Sequence, residues 1–162
     1  MSRTTVPATP ATRFLRSRGV AFVAHRYDYQ EHGGTRVAAR ALGAAEHAVI
    51  KTLVVETSDG CPVLVLMHGD RELSTKTLAR LLGVKSVSPC SPADAQRYTG
   101  YSVGGISPFA TRRDLPVYAE RTIFELERLF VNGGARGVLV EMAPEALSVA
   151  LAPHVIDAAL VP

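Results

Sequence analysis

The chain has 162 residues with 47% apolar and 20% charged side chains, an ordinary globular balance that excludes a disordered chain. Eighteen basic and fifteen acidic residues leave a net charge of +3 with no polybasic block, which excludes a DNA scanner that depends on many phosphate contacts. The longest strongly apolar run, Val63-Leu64-Val65-Leu66-Met67, falls far short of the roughly 20 residues a membrane span needs. Residues 1–10 carry no apolar stretch of the signal-peptide kind, so the expectation is a soluble, cytoplasmic protein that does not engage membranes or DNA. Aromatic residues are 6% and Trp is absent, which argues against stacking along an extended single strand but leaves a short nucleic-acid end open. Cys61 and Cys90 stand alone, without paired Cys or His ligands, and read as free thiols rather than as a structural zinc site.

In chain order, residues 1–8 read as a flexible tail and residues 9–162 as a single domain. Thr9 or Thr12 caps a short helix that runs to Ser17 and stops at Gly19. Residues 20–29 read as a strand carrying Phe22 and Tyr27. After the Gly33-Gly34 break comes a helix over residues 35–42, ended by Gly43. Residues 49–57 and 62–68 form two β-rich runs around Ser58-Asp59-Gly60, a hairpin pattern. Leu78, Leu81 and Leu82 give helical spacing to residues 74–82, with Gly83 as the stop. A short strand at 84–88 precedes a helix over 91–98, capped by Ser91 with Pro92 at its first position. Strands follow at 115–120, 129–132 and 138–142, the last two forming a hairpin across Gly133-Gly134. A helix at 144–151 and a strand at 154–160 end the chain. Strands joined by short turns, with helices interspersed, predict an α+β fold with a mixed, mainly antiparallel sheet.

Two features stand out chemically. Lys51 opens a strand that is apolar on both faces, Ile50-Lys51-Thr52-Leu53-Val54-Val55, so its ammonium must snorkel or face a pocket. The loop from Thr99 to Pro108 holds Gly104-Gly105, where backbone can approach a ligand closely and present N–H donors. Asn132-Gly133-Gly134 is read from composition alone as a hairpin turn. The five histidines lack a helical metal-site spacing, and neither a nucleophile elbow nor a phosphate-binding loop is present. An enzyme built this way must work through positioning, backbone donors and one cation.

Three segments carry a resemblance: Val49-Ile50-Lys51-Thr52-Leu53, then Thr99 to Pro108, then Val131-Asn132-Gly133-Gly134-Ala135-Arg136-Gly137. In order and spacing they resemble the YbaK/EbsC family of free-standing aminoacyl-tRNA deacylases, related to the editing insertion of prolyl-tRNA synthetases. The likeness runs from about residue 25 to residue 157. It implies a barrel-like mixed sheet with surrounding helices and a trans-editing hydrolase. Such an enzyme cleaves the ester at the 3′ end of a mischarged aminoacyl-tRNA, most typically Cys-tRNA(Pro) or another small amino acid on tRNA(Pro). It further implies no metal or cofactor, and prolyl-tRNA synthetase as a working partner.

By this resemblance Lys51 and Gly104 are the catalytic positions. Tyr27, Thr52, Gly105, Ile106, Ser107, Pro108, Asn132, Gly133 and Gly134 are then the substrate-binding ones. Backbone N–H groups at Gly104-Gly105 would polarise the ester carbonyl, Lys51 would supply a fixed charge, and Thr52 and Tyr27 would orient the terminal ribose or the amino acid. Asn132 stands where the family usually has Ser, Leu139 where cysteine-clearing members have Asp, and Gly33-Gly34 where an aromatic is usual. All three departures bear on the amino-acid pocket. Asn132 and Leu139 keep a second reading open, a non-catalytic module that binds a tRNA 3′ end or a nucleotide beside a synthetase.

Overall fold

The computed structural model describes residues 7–160, so most of the tail expected at residues 1–8 lies outside the described residues. Helix α1 (Pro10–Ser17) is opened by a capping box in which Thr9 and Thr12 satisfy each other's backbone N–H. Strand β1 (Val23–Arg26) follows, then α2 (Gly34–Leu42) and a single 3-10 turn (Glu46–Ala48) leading into β2 (Val49–Thr57). The chain continues through β3 (Pro62–His68), α3 (Thr75–Leu82), β4 (Val87–Pro89) and α4 (Pro92–Thr99). It ends with β5 (Val117–Glu120), a second 3-10 turn (Arg121–Glu125), β6 (Leu129–Asn132), β7 (Val138–Met142), α5 (Pro144–Leu151) and β8 (His154–Ile156).

The strands form one eight-stranded sheet in the order β1-β7-β6-β2-β3-β5-β8, with β4 added to β2. The two expected hairpins are present as β2–β3 and β6–β7. The β1–β7 and β2–β4 ladders are also antiparallel, whereas β2–β6, β3–β5 and β5–β8 are parallel. The mixed, mainly antiparallel α+β architecture is therefore as expected. The path is open, since no ladder joins β1 to β8 among the described residues.

Four strand boundaries differ from the sequence expectation, each for a local reason. The run at 20–29 is a strand only over Val23–Arg26: Val20 donates back to the Leu15 carbonyl to close α1, and Tyr27 lies just past the strand, its N–H on Gly137 O at 2.9 Å. Val84 closes α3 through the Ala79 carbonyl, so β4 starts only at Val87. Pro116 has no N–H for a ladder, so β5 starts at Val117 rather than at 115. β8 stops at Ile156 instead of reaching 160 because the buried Glu120 carboxylate takes the N–H groups of Ala158 and Ala159, at 2.6 and 3.1 Å, and turns the chain away.

β3 is buried along its whole length, and both sheet faces are covered. Ile50, Leu66, Phe109, Leu129, Val131, Val140 and Met142 pack with α1 and α5, while Val55, Val63 and Val65 pack with α3. A smaller cluster joins Ala38 and Ala39 of α2 to Val49 and Leu139, and this is the cluster that borders the site.

At the edge of the sheet, Glu141 of β7 takes a hydrogen bond from His25 Nε2 of β1 at 2.8 Å and another from Arg128 Nε at 2.8 Å. The His25 bond, with Arg128 beside it, outweighs burial and holds this carboxyl below its ordinary value of 4.5. A carboxylate depressed in the folded state stabilises the fold above the ordinary range, and that contribution is lost as pH falls through the depressed value. Denaturant midpoints measured on descending pH are expected to drop in this window for the native chain. The drop is expected to be shallower for Glu141→Gln.

Candidate functional site

β2 sets the site because its two edges are served unequally. β3 pairs with it from Ile50 to Glu56 on one side. On the other, β6 pairs only with Val49 and Ile50, and β4 only with Val55 to Thr57. Cys90 N–H reaches Val54 O at 3.0 Å, so the uncovered stretch is Lys51-Thr52-Leu53. A cavity of about 370 Å³ opens at this gap, lined by Lys51 and Thr52 together with Tyr27, Gly104, Ile106 and Asn132. Six of the eleven residues expected from the sequence thus meet on one cavity.

The remaining five are placed differently. Gly105 and Gly134 line a neighbouring depression on the other side of the loop, bounded by Pro10, Tyr101 and Ser102. Ser107 is fully buried and accepts the Phe109 N–H at 3.2 Å, a role internal to the loop. Pro108 and Gly133 are buried and line neither cavity. Gly105 also corrects the expected donor pair: its N–H is donated to Ser102 O at 2.8 Å and so closes a turn. Gly104 N–H has no acceptor among the described residues.

The glycine loop is held by the β6–β7 hairpin. Asn132 donates from Nδ2 to Gly104 O at 3.1 Å and accepts Gly134 N–H on Oδ1 at 2.7 Å. Arg136 donates from Nε to Val103 O at 3.0 Å, and its guanidinium lies over the Tyr29 ring, 5.0 Å from the centroid. A trans peptide points its C=O and N–H in opposite directions. Pinning Val103 O to Arg136 therefore fixes the direction of the unspent Gly104 N–H. Asn132, read from sequence as the start of a turn, makes that turn and also ties two loops together.

Lys51 is not in bulk solvent. Its side chain is 21% exposed, and Nζ donates to Arg71 O at 2.6 Å with the Glu72 carboxylate 3.7 Å away. Thr52 is a lining residue of the cavity, and its Oγ1 is buried with no hydrogen-bond partner among the described residues. A buried hydroxyl left unpaired costs about 1–3 kcal/mol, so this group is suited to a ligand atom. Burial, with Tyr29 nearby, raises the Tyr27 phenol above its ordinary value of 10, so it stays protonated and can donate a hydrogen bond at neutral pH. The apolar side of the cavity is Ala38, Val49 and Leu139, with Leu139 in the place where the resemblance leads one to expect a carboxylate. Sequence reasoning missed Tyr29, His32, Thr35 and Ala38, which come from the segment before and into α2. Their only signal was proximity to Tyr27 in the chain.

Among the described residues, His47, His68 and Asp70 form the one cluster whose ligand atoms could surround a metal ion, all within 4.8 Å of each other. His68 is poorly available for that. Its Nδ1 donates to His47 O at 2.6 Å, and its Nε2 lies 2.7 Å from Thr122 Oγ1.

Gly104 has φ +91°, and a Cβ built there would meet the Tyr29 hydroxyl first. Gly104→Ala is expected to destabilise the fold by about 1–3 kcal/mol through backbone strain and crowding. Tyr29→Ala in the same chain should recover only the crowding part. Thermal unfolding of the two single variants and the double variant checks this.

Residues 33–149 match the family model described as the aminoacyl-tRNA editing domain. A protein of Enterococcus faecalis, EbsC, provisionally named a Cys-tRNA(Pro)/Cys-tRNA(Cys) deacylase, is 31% identical over 140 residues, covering 86% of this chain and 85% of its own. The proline–tRNA ligase of Levilactobacillus brevis is 28% identical over 85 residues, 52% of this chain and 15% of the ligase. A crystal structure titled as a provisional trans-editing enzyme for prolyl-tRNA synthetase superposes with a TM-score of 0.83 at 23% identity, covering 96% of this chain and 100% of that one, a likeness of fold. With a family model matched over most of its length and a relative of similar size above 30% identity, the chain belongs to the aminoacyl-tRNA editing domain family.

Proposed function

We propose that this chain is a trans-acting deacylase that hydrolyses the ester between a small amino acid and the 3′-terminal ribose of a mischarged tRNA, with tRNA(Pro) as the carrier. The observation that carries the reading is the meeting, on one cavity, of a mostly buried cation and two unspent polar groups. They belong to three lining residues: the Lys51 ammonium, the buried Thr52 hydroxyl and the Gly104 N–H, the last two without a partner among the described residues.

In this reading Gly104 N–H stabilises the oxyanion that forms as water adds to the ester carbonyl carbon. The bond from that carbon to the ribose oxygen then breaks. The ribose oxygen leaves as a hydroxyl with one proton from the attacking water, the amino acid leaves as a carboxylate, and the water's second proton passes to solvent. Lys51 is the fixed positive charge beside the developing negative charge, a compact ammonium already held by a carbonyl. Thr52 and the protonated Tyr27 supply hydrogen bonds that orient the ribose or the amino group. Gly105, Ser107, Pro108, Gly133 and Gly134 contribute by shaping the loop and hairpin.

Ala38, Val49 and Leu139 offer a small, apolar side chain its surroundings, so Ala and Cys are favoured over charged residues. The name of the Enterococcus relative supports Cys as one of these. With few basic residues around the cavity, tRNA affinity should be weak and only shallowly dependent on salt. A prolyl-tRNA synthetase is the expected partner for delivering tRNA(Pro), and the cytoplasm is the expected location. Among the described residues no helix is long and apolar enough to cross a membrane.

Cys-, Ala- and Ser-charged tRNA(Pro), with Pro-tRNA(Pro) as control, should release free amino acid in the presence of the native chain, fastest for Cys or Ala. Lys51→Ala should lose at least about 10²-fold in rate, on the scale of removing one charge-stabilising group. Full activity in that variant would overturn the mechanism. Protection of the ester without turnover by the native chain would favour the binding module instead.

A further inference from the structure

Lys51 reaches the cavity from a side chain with four rotatable bonds, and its position there is set by its acceptor, the carbonyl of Arg71. That acceptor lies in the short turn after β3. The turn is fastened by three backbone groups: Gly69 N–H on Val49 O at 2.7 Å, Arg71 N–H on His68 O at 3.1 Å, and Glu72 O accepting Leu160 N–H at 2.7 Å. Apart from the Lys51 bond itself, the one hydrogen bond that ties residues 70–72 to a side chain elsewhere, among the described residues, is from His47 Nδ1 to Asp70 Oδ1 at 2.8 Å; within the turn the Arg71 guanidinium lies 3.6 Å from the other Asp70 oxygen. The His47 ring lies flat on the buried His68 ring, with centroids 3.7 Å apart and planes 5° from parallel. His68 is itself fixed at both ring nitrogens. The His47 imidazole is thus clamped by stacking on one side and hydrogen-bonds the turn on the other, while lying outside the cavity lining.

We propose that His47 is a positioning residue for the deacylation: through Asp70 it holds the turn whose Arg71 carbonyl sets where the Lys51 ammonium stands. The inference rests on the functional reading above, because it assigns Lys51 the reacting charge. It goes beyond that reading by assigning work to two residues remote from the cavity. The alternative use of this cluster, a metal site, would require His68 to give up its bond to His47 O or to Thr122. A charge-assisted N–H···O bond is short and directional, so a displaced turn carries the ammonium with it. A displacement of about 1 Å at a reacting group can cost on the order of 10²-fold in rate. Loss of one of several anchors should cost less, about tenfold.

The test compares His47→Ala, Asp70→Ala and His47→Asn, whose side-chain amide nitrogen takes the place of Nδ1. Each is made in the native chain and in the Lys51→Ala chain. Deacylation of mischarged tRNA(Pro) should show kcat about tenfold lower in both alanine variants with KM within twofold, recovery in His47→Asn, and no further loss where Lys51 is already absent. A second readout does not use activity: competitive acetylation of amines by acetic anhydride, read by mass spectrometry at Lys51. Released from a fixed turn, Lys51 should acetylate severalfold faster in His47→Ala and Asp70→Ala than in the native chain or His47→Asn. Unchanged acetylation at Lys51 in folded alanine variants overturns the proposal, as does an equal kcat loss with and without Lys51. A native chain inactive on every charged tRNA would defeat the functional reading, and the acetylation comparison would still decide whether His47 positions Lys51.

Discussion

A β-strand presents backbone groups along two edges, and an edge left without a partner must be satisfied by something else. In this protein β2 is covered fully on one side. On the other it is shared by a parallel strand at its start and an antiparallel one at its end. Of the three residues left uncovered between those partners, Lys51 and Thr52 border the cavity. Placing a lysine and a threonine at that gap brings both residues to the cavity wall without breaking the core, because Ile50 and Val54 on either side remain buried. The site is thus a consequence of sheet topology first and of side-chain chemistry second.

The glycine loop meets this gap because the β6–β7 hairpin holds it there. Asn132 and Arg136 each spend a donor on a loop carbonyl, and those bonds decide which N–H stays free. Of the two adjacent glycines, one closes a turn and the other keeps its donor. Both are needed as glycine for different reasons. A Cβ at Gly105 would press on the Ala135–Arg136 backbone at 2.9 Å, whereas Gly104 sits at positive φ against Tyr29.

Much of this was legible in the residues. Turn chemistry marked both hairpins, capping residues and terminal glycines marked the helices, and the odd lysine in an apolar strand marked the gap. The parallel pairings of β6, β5 and β8 were not legible, since they join segments distant in sequence and leave no local pattern. Strand ends shifted wherever a distant group competed for backbone, as the Glu120 carboxylate does for Ala158 and Ala159. Within the site, Lys51, Thr52 and Gly104 stand together as the motifs implied. Ser107 and Pro108 turned inward, because a loop of this length needs buried anchors such as the Tyr101 hydroxyl bond to Phe109 O at 2.6 Å. His68-Gly69-Asp70 is too common a triplet to notice, and its meaning depends on His47 stacking from another segment.

Gly69 occupies a crossing point where the carbonyls of Glu46 and Val49 and the Thr35 hydroxyl all stand 2.7 Å from where a Cβ would be. The entrance to α2, the 3-10 turn before β2, and the turn beyond β3 converge on the volume of one missing methyl group. Transplanting the α2 segment from a relative, to change which amino acid the cavity accepts, would therefore have to carry the other two segments with it. The three are sterically one unit, although they are separate in the chain.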